Sequence, residues 1–382
     1  MLSKRAIREL IETAQTQPGG FIILEKNSPK LVVLDYASYQ KITGVRTSPQ
    51  APVPAFRRVL VTGGAGYVGS HTARLLTQRG YEVTTFDNLS TGFLEFAQGT
   101  LVEGDLLDQE RLNATFQNGN FDAVLHFAGT IDVEESVRDP EKYYRNNLIG
   151  SLNLLDSMTQ FSVKTLVFSS TCAIYAGDAV MPVNEQSRVA PSSPYGETKS
   201  AVESALRWYA PAYGMRTVAL RYFNPAGASF DQHLGLGNPK STLLIPRALN
   251  VALGRAESLT VNGNDYDTQD GTAVRDYIHV LDVAEAHLLA LDFLAKAPEG
   301  TFDTFNIGTG RGYSVLEVIN QVCESTGRMV RFDVGPRRLG DRPNVYADIT
   351  RAKRLLGFEP RFSDMKIIID THWAFHKSRF NN

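Results

Sequence analysis

The feature that most constrains the fold is a strand, a glycine turn and a helix in direct succession between residues 57 and 80. The apolar strand VLVT leads into the turn GGAGYVG, which contains Gly63, Gly66, Tyr67, Val68 and Gly69. Glycine at these places permits a tight turn, a close approach of the backbone to a pyrophosphate and close packing of helix on strand. The N-terminus of the following helix offers unpaired N–H groups to the phosphates. The segment therefore predicts a dinucleotide cradle in an α/β fold.

A second strand carries the residue that selects the cofactor. The strand YEVTTF ends at Asp87, eighteen residues after Gly69. A carboxylate at this place accepts hydrogen bonds from the adenosine ribose and repels a 2′-phosphate, so we expect NAD and not NADP. A glycine triplet alone more often marks an ordinary turn, and it is the order of strand, turn, helix, strand and acid that favours a cofactor site.

Composition excludes several classes of protein. A chain of 382 residues with 43% hydrophobic content can form one large α/β core with a small appendage, and a net charge of −2 gives no general attraction to nucleic acid or anionic membranes. No apolar stretch approaches the length of a membrane span, and residues 1–10 lack the apolar core of a secretory signal, so we expect a cytoplasmic protein. Cys172 and Cys323 are too few for a disulfide framework or a cysteine zinc site, and we expect reduced thiols and no metal.

The chain is expected to contain three parts. Residues 1–44 hold a charged helical stretch, the strands FIILE and LVVLD and a short helical ASYQKI, which predict a small α+β module. Residues 45–56 contain Pro49, Pro52 and Pro54 and are typical of a linker. Residues 57–382 form the main region.

Within the main region, strands alternate with helical segments as parallel βαβ units require. The strands are VLVT, EVTTF, TLVEGD, AVLHFAG, TLVFSS and RTVALRYF. They predict a doubly wound parallel sheet of the Rossmann type, mainly in residues 57–224. The pattern is irregular beyond, with short segments LTVNG and TFNIG, and predicts a smaller C-terminal substrate lobe, mainly in residues 225–382. The cleft between sheet and lobe is the expected site.

A pair of side chains on one helix is the candidate for acid–base chemistry. Tyr195 and Lys199 lie one helical turn apart, so the ammonium is expected to favour the phenolate of Tyr195, whose unperturbed pKa is about 10. This spacing is common on helix surfaces, but the strand TLVFSS ends nearby in the sequence at Thr171, and active sites gather at the carboxyl ends of parallel strands. We therefore expect proton transfer at Tyr195, with the Thr171 hydroxyl orienting the substrate. Without this context Thr171 would be an ordinary strand-end turn residue.

From residue 57 to about residue 373 the chain resembles the extended short-chain dehydrogenase/reductases and, within them, the UDP-glucose 4-epimerase family. The motifs that carry the resemblance follow in order after the glycine turn: DNLSTG, VEGDLLD, HFAG, YYRNN, FSST, SPYGETK, LRYFNPAGA, GNDYDTQDGTAVRDYIHV, NIGTGRGYSVLEV and PRRLGDRP. The resemblance implies that Tyr195 takes the proton of the sugar C4 hydroxyl while NAD takes the hydride. The 4-keto sugar then turns over and is reduced on its other face.

The resemblance also implies site residues and an assembly. Besides the glycine turn, the NAD contacts are Asp87, Asn88, Asp105, Leu106, Phe127, Ala128, Gly129, Asn146, Lys199 and Tyr222. The UDP-sugar contacts are Thr171, Tyr195, Asn224, Arg275, Arg338, Asp341 and Val345, where a small valine in place of a tyrosine implies room for an N-acetyl group. Helices within residues 141–160 and 195–213 are similar to those that pair the subunits of family homodimers.

Several alternatives stay open. Cys172 and Ala173 follow Thr171 where related dehydratases and decarboxylases carry an acid, which disfavours elimination. Ile131, Leu243 and Asn262 differ from the residues of well-known family members, so another UDP-sugar 4-epimerase, for a pentose or a uronate, remains an alternative. A non-catalytic NAD-binding regulatory protein is the alternative that the acid–base residues argue against.

Residues 1–44 loosely resemble Phd/YefM-type antitoxin modules, which dimerise and bind DNA, and an oligomerisation or docking arm is an equal alternative.

Overall fold

The chain divides into two compact units, Met1–Pro54 and Ala55–Asn382. The structure, a computed structural model, describes residues 21–25, 28–33, 56–239, 241–337 and 341–380. In the first unit, β1 (Phe21–Glu25) and β2 (Ser28–Val33) form an antiparallel hairpin with Phe21 opposite Val33. The other expectations for this part lie outside the described residues: the charged helix, the helical ASYQKI and residues 45–55 of the linker.

The second unit contains the remaining strands. They are β3 (Arg58–Thr62), β4 (Glu82–Asp87), β5 (Thr100–Glu103), β6 (Ala123–His126), β7 (Thr165–Thr171), β8 (Arg216–Tyr222), β9 (Asn224–Ala226), β10 (Leu259–Asn262), β11 (Val274–Arg275), β12 (Tyr277–His279), β13 (Phe302–Ile307), β14 (Tyr313–Ser314), β15 (Phe332–Gly335) and β16 (Asn344–Val345). Seven of them form a parallel sheet in the order β13-β8-β7-β6-β3-β4-β5. The chain runs outward from β3 in both directions, so the strand order reverses between β3 and β6, where ligands bind in sheets of this kind.

The described helices cover both faces of the sheet and build the lobe. They are α1 (Tyr67–Gln78), α2 (Gln109–Gly119), α3 (Val133–Arg138), α4 (Pro140–Tyr143), a π-helical turn (Tyr144–Ile149), α5 (Gly150–Gln160), α6 (Pro194–Tyr213), α7 (Leu244–Ala252), α8 (Val280–Lys296), α9 (Val315–Thr326), α10 (Thr350–Leu356) and α11 (Met365–Phe380), with 3₁₀ turns at Leu94–Phe96 and Cys172–Ile174. Within the described part of the chain, no helix has both the length and the apolar character needed to cross a bilayer.

The sheet is buried on both faces. Neighbouring residues of β3 point to opposite sides, and Val59 packs with Leu76 of α1 while Leu60 packs with Leu154 of α5. Strands covered by helices on both faces have continuous apolar sequences, as VLVT does. The predicted doubly wound α/β fold is confirmed.

The lobe differs in extent from the sequence-based expectation. Helices α7, α9 and α11 pack together around Ile245, Val318 and Ile368. The segment TFNIG, which was assigned to the lobe, instead forms β13, and β13 pairs in parallel with β8 at the edge of the sheet. The reason is α8, which packs on α1 and serves as the crossover helix that a parallel connection requires.

Candidate active site

A cavity of about 480 Å³ lies where strands β3, β4, β6, β7 and β8 end, within the usual range of about 300–1,000 Å³ for ligand sites. Every residue that was predicted to contact NAD lines it: Gly63, Gly66, Tyr67, Val68, Gly69, Asp87, Asn88, Asp105, Leu106, Phe127, Ala128, Gly129, Asn146, Lys199 and Tyr222. Thr171, Tyr195 and Asn224 of the predicted substrate contacts line the same cavity. The fold thus brings both groups to one place.

The glycine turn packs so closely against neighbouring backbone that side chains are excluded from it. Gly63 has a φ of +70°, and a Cβ there would lie 2.5 Å from the Ala128 nitrogen. A Cβ at Gly69 would lie 2.1 Å from the Gly63 carbonyl oxygen. Helix α1 begins after Gly66 without a side-chain cap, so its first-turn N–H groups are left for a ligand. This cradle fits the diphosphate of NAD.

A fixed carboxylate marks the other end of the dinucleotide site. Asp87 is 7% exposed, and its two oxygens accept hydrogen bonds from the backbone N–H groups of Ala65 and Leu89, both at 2.9 Å. The Asn88 amide donates to Asp105 at 2.8 Å, which holds the next residue of the cavity wall. A carboxylate retains further lone pairs after two hydrogen bonds, so Asp87 can still accept from ribose hydroxyls. The residues at this end therefore fit NAD.

The acid–base residues lie at the ends of β7 and α6. Ser193 caps α6 by accepting from the Gly196 N–H at 3.2 Å, which places Tyr195 in the first turn of that helix. Burial raises the pKa of Tyr195 to about 12, and a hydrogen bond with the Thr171 side chain acts in the opposite direction. The tyrosine is therefore protonated at neutral pH in this structure.

Lys199 is a buried cation with unused hydrogen-bonding capacity. Its Nζ donates to the Ser169 carbonyl oxygen at 2.9 Å and lies 4.9 Å from the centre of the Phe168 ring. Burial lowers the pKa of Lys199 to about 8. An ammonium has three N–H donors, and within the described residues it hydrogen-bonds that one carbonyl, so a ligand in the cavity can accept from the others.

The expected effect of Lys199 on Tyr195 is not seen. The sequence spacing predicted that the ammonium lowers the pKa of Tyr195, but burial dominates and raises that pKa. The physical reason is that the ammonium is directed to the carbonyl of Ser169, while the phenol is in contact with Thr171. Tyr195 thus needs additional positive charge in the cavity to act as a base near neutral pH.

The predicted substrate residues of the lobe are placed less directly. Arg275 forms an ion pair with Asp341, and neither lines the cavity. Arg338 lies outside the described residues. Val345 is 7% exposed and packs in a cluster with Phe223 and Cys172, which do line the cavity. Val345 therefore lies one layer behind the wall. Direct contact with the sugar would require it to lie on the surface of the wall.

Part of the wall was missed by sequence reasoning. Leu236, Ile245, Pro246, Tyr277 and His372 line the cavity from the C-terminal half of the chain. Leu236, Ile245, Pro246 and His372 come from segments without a chemical motif. Tyr277 lies in VRDYIHV, which carried the family resemblance but did not mark this tyrosine as a site residue, and only the packing of the lobe brings these side chains to the sheet. Ile131 and Leu243, which were noted as departures from family members, line the cavity as exposed side chains, whereas Asn262 is not part of the wall.

Comparison with known proteins gives a consistent set of relatives. Residues 59–308 match the model of the NAD dependent epimerase/dehydratase family. The UDP-glucose 4-epimerase of Rhizobium meliloti (strain 1021) is 43% identical over 322 residues, which cover 84% of this chain and 97% of the relative.

Two solved structures have the same fold. The UDP-glucose 4-epimerase from Brucella ovis in complex with NAD has a TM-score of 0.81 and 47% identity, covering 84% of this chain and 98% of that one. The UDP-Glc/GlcNAc 4-epimerase from Campylobacter jejuni has a TM-score of 0.74 and 38% identity, covering 84% of this chain and 99% of that one.

Proposed function

The chain belongs to the NAD dependent epimerase/dehydratase family and is an NAD-dependent isomerase, and we propose that its reaction is the interconversion of UDP-glucose and UDP-galactose. The observation that carries the proposal is one cavity in which a dinucleotide cradle reaches Tyr195, Lys199 and Thr171. A protein that only binds NAD has no need for a partly buried tyrosine and a buried lysine at the end of that cradle. Neither residue has a charged partner that would give it a structural role in an ion pair within the described residues.

The residues divide the chemistry between them. The Tyr195 oxygen takes the proton of the sugar C4 hydroxyl and later returns it, and the Thr171 hydroxyl holds the same sugar oxygen in place. Bound NAD supplies the acceptor for the two electrons and the hydrogen that leave C4, and the donor that returns them. In this structure the Lys199 ammonium is directed to the Ser169 carbonyl oxygen and does not lower the pKa of Tyr195, so its positive charge would favour the phenolate only together with the positive charge that bound NAD would bring. Over a full cycle the C4 configuration inverts without net oxidation.

The surroundings of Thr171 favour epimerisation over elimination. Cys172 follows it and is partly buried, and the burial of its thiol raises its pKa to about 11. A protonated thiol is a poor replacement for the carboxyl group that removes a proton from C5 in dehydration. The site is therefore suited to an oxidation and reduction at C4.

We include N-acetylated sugars in the proposal. Val345 is a small residue directly behind Phe223 and Cys172. A tyrosine at this position would fill more space and press these two wall residues toward the cavity, whereas valine leaves the cavity wider. The similarity to a UDP-Glc/GlcNAc 4-epimerase supports the same view.

The test is a panel of UDP-sugars with the purified full-length chain, followed by chromatographic separation of the C4 epimers. We expect conversion of UDP-glucose, UDP-galactose and their N-acetylated counterparts. Conversion of only a UDP-pentose or a UDP-uronate would replace the proposed substrate while retaining the reaction. Binding of NAD without conversion of any sugar would instead support a regulatory protein.

The proposal extends to assembly and location. Trp208 and Tyr213 on α6, and Tyr144 and Ile149 beside α5, are large apolar or aromatic side chains with 41–75% exposure. Such surfaces are typical of subunit interfaces, so we propose a homodimer through these helices, to be tested by light scattering of the parent and Trp208→Glu. A cytoplasmic location is supported by Cys172 and Cys323, which are both unpaired.

Residues 1–44 are proposed as an oligomerisation or docking arm. An antiparallel hairpin formed by β1 and β2 is the described part of this arm. The alternative proposal is that these residues bind DNA, as the loose resemblance to antitoxin modules implies. Deletion of the arm is expected to leave turnover intact, and a gel-shift assay of the full chain distinguishes the two versions.

A further inference from the structure

His287 has a defined protonation pattern. It lies on α8, is fully buried, and its Nδ1 is 2.8 Å from the Val283 carbonyl oxygen. Burial lowers the pKa of His287 to about 4, so the ring is neutral at pH 7. A carbonyl oxygen can only accept, so Nδ1 carries the hydrogen and Nε2 is left as an acceptor.

This pattern fixes the direction of a hydroxyl group in the cavity wall. The Tyr222 oxygen is 2.5 Å from Nε2 of His287, so the phenol must donate its proton to the imidazole. The Ser169 side chain hydrogen-bonds Tyr222, and a phenol whose only proton is used must be the acceptor there. Tyr222 lines the cavity and directs its proton to the buried imidazole, and its oxygen keeps one lone pair that Ser169 does not use.

Tyr222 lies at the end of the cavity where the redox chemistry must occur. Ser169 links it to Lys199, because its side chain bonds Tyr222 and its carbonyl oxygen accepts from the lysine. Tyr195 lies close enough for its charge to raise the pKa of Tyr222. In the proposed reaction the proton and the hydride leave adjacent atoms of the sugar, so the residues around Tyr195, Tyr222 among them, would hold the nicotinamide end of bound NAD.

The charge of the cofactor makes the direction of this hydroxyl important. The nicotinamide ring is positive when oxidised and neutral when reduced. An oxygen lone pair attracts the positive ring, whereas an O–H dipole turned toward it would repel that charge. His287 prevents the second arrangement, and Phe127, another wall residue, covers the imidazole at a ring-centre distance of 4.5 Å.

We propose that His287 is a positioning residue that orients the Tyr222 hydroxyl so that the site favours the oxidised form of bound NAD. The inference rests on the proposed function and deepens it. Stabilising the oxidised form of the cofactor makes its reduced form a stronger hydride donor. The keto sugar is then reduced again quickly, which limits its loss from the site.

The experiment measures the midpoint potential of the cofactor bound to the purified full-length holoenzyme, in equilibrium with a redox couple of known potential. His287→Leu removes the acceptor and keeps a similar volume. We expect the ratio of reduced to oxidised cofactor to rise about tenfold at a given potential, which for a two-electron couple is about 30 mV. His287→Gln, whose amide oxygen can accept from Tyr222, is expected to restore the parent ratio within about threefold.

Tyr222→Phe provides the second arm. It removes the lone pair and leaves His287 in place, so we expect a shift of the same sign, and the double variant with His287→Leu is expected to add nothing further. If His287→Leu does not retain NAD, Tyr222→Phe must still show the shift. Nitrogen NMR of the parent is expected to show hydrogen on Nδ1 of His287.

The outcomes separate this inference from the proposed function. Parent-like potentials in His287→Leu or in Tyr222→Phe, with normal turnover by the unmodified enzyme, overturn the inference alone. Equal shifts in His287→Leu and His287→Gln also overturn it, because a general packing effect would not distinguish an acceptor from an alkyl group. Absence of C4 turnover in the unmodified holoenzyme would contradict the proposed function instead.

Discussion

Acid should destabilise this protein through a set of buried histidines. Six imidazoles are at most 2% exposed, and burial lowers the pKa of each to about 3 or 4. The six are His71, His126, His279, His287, His372 and His376. Three of the rings are also incompletely hydrogen-bonded: within the described residues, Nε2 of His71 and both nitrogens of His372 and of His376 have no hydrogen-bond partner.

The magnitude follows from the difference between folded and unfolded protonation. In the unfolded chain these groups titrate near 6.5, so their contribution is present above that pH and is lost as the pH falls from 6.5 toward the folded values. Each imidazole then reduces the free energy of unfolding by about 0.8 kcal/mol at pH 6 and about 2 kcal/mol at pH 5. All six together remove about 5 kcal/mol at pH 6, which is comparable with the lower end of total protein stability.

The assay is urea unfolding of the NAD-free protein between pH 8 and pH 6, a window above the titration of most carboxylates. We expect an uptake of about four protons on unfolding near pH 6. His376→Leu is expected to reduce that uptake by nearly one proton, whereas His233→Leu, at an exposed position, is the matched control and should not change it. A loss of less than about 2 kcal/mol between pH 8 and pH 6, or equal pH slopes for the parent and His376→Leu, would refute the reasoning.

Three further predictions concern the cavity wall and the layer directly behind it. Gly69→Ala should weaken NAD binding at least about tenfold by calorimetry, because its Cβ would lie 2.1 Å from a backbone oxygen; Gly177→Ala, with open space around it, is the control, and unchanged affinity at Gly69 would argue against the cradle. Asp87→Ala should weaken NAD binding by about tenfold and admit NADP, and an equal preference in the parent would show that Asp87 does not select the cofactor. Val345→Tyr should push Phe223 or Cys172 into the cavity and suppress turnover of UDP-N-acetylglucosamine more than that of UDP-galactose; equal losses on both would discard the gate.

The sequence was sufficient where a pattern is local. Strands β3 to β8 were predicted because apolar runs alternate with helical segments, and Asp87 was predicted as a cofactor residue because a carboxylate at a strand end after the glycine turn has a defined chemical meaning. Tyr195 and Lys199 were predicted as a pair from an equally local pattern, since four residues make about one helical turn. All these side chains line one cavity in the structure.

The sequence was insufficient where the outcome depends on packing between distant segments. The joining of β13 to the sheet follows from the packing of α8 on α1, which no local pattern reveals. The raised pKa of Tyr195 depends on how completely the folded chain excludes water from the phenol. The same holds for Val345, whose distance from the cavity is set by the side chains packed in front of it.

The most direct test of the central claim compares the unmodified protein with Tyr195→Phe at matched NAD content, using UDP-galactose and following UDP-glucose by chromatography. The account predicts that the unmodified protein interconverts the two sugars without net change in the amount of reduced cofactor. Tyr195→Phe should bind NAD with parent affinity but lose about 10²–10⁴-fold in turnover, the contribution of a positioned proton acceptor. Near-normal turnover by Tyr195→Phe, or no C4 interconversion by the unmodified protein, would contradict the account.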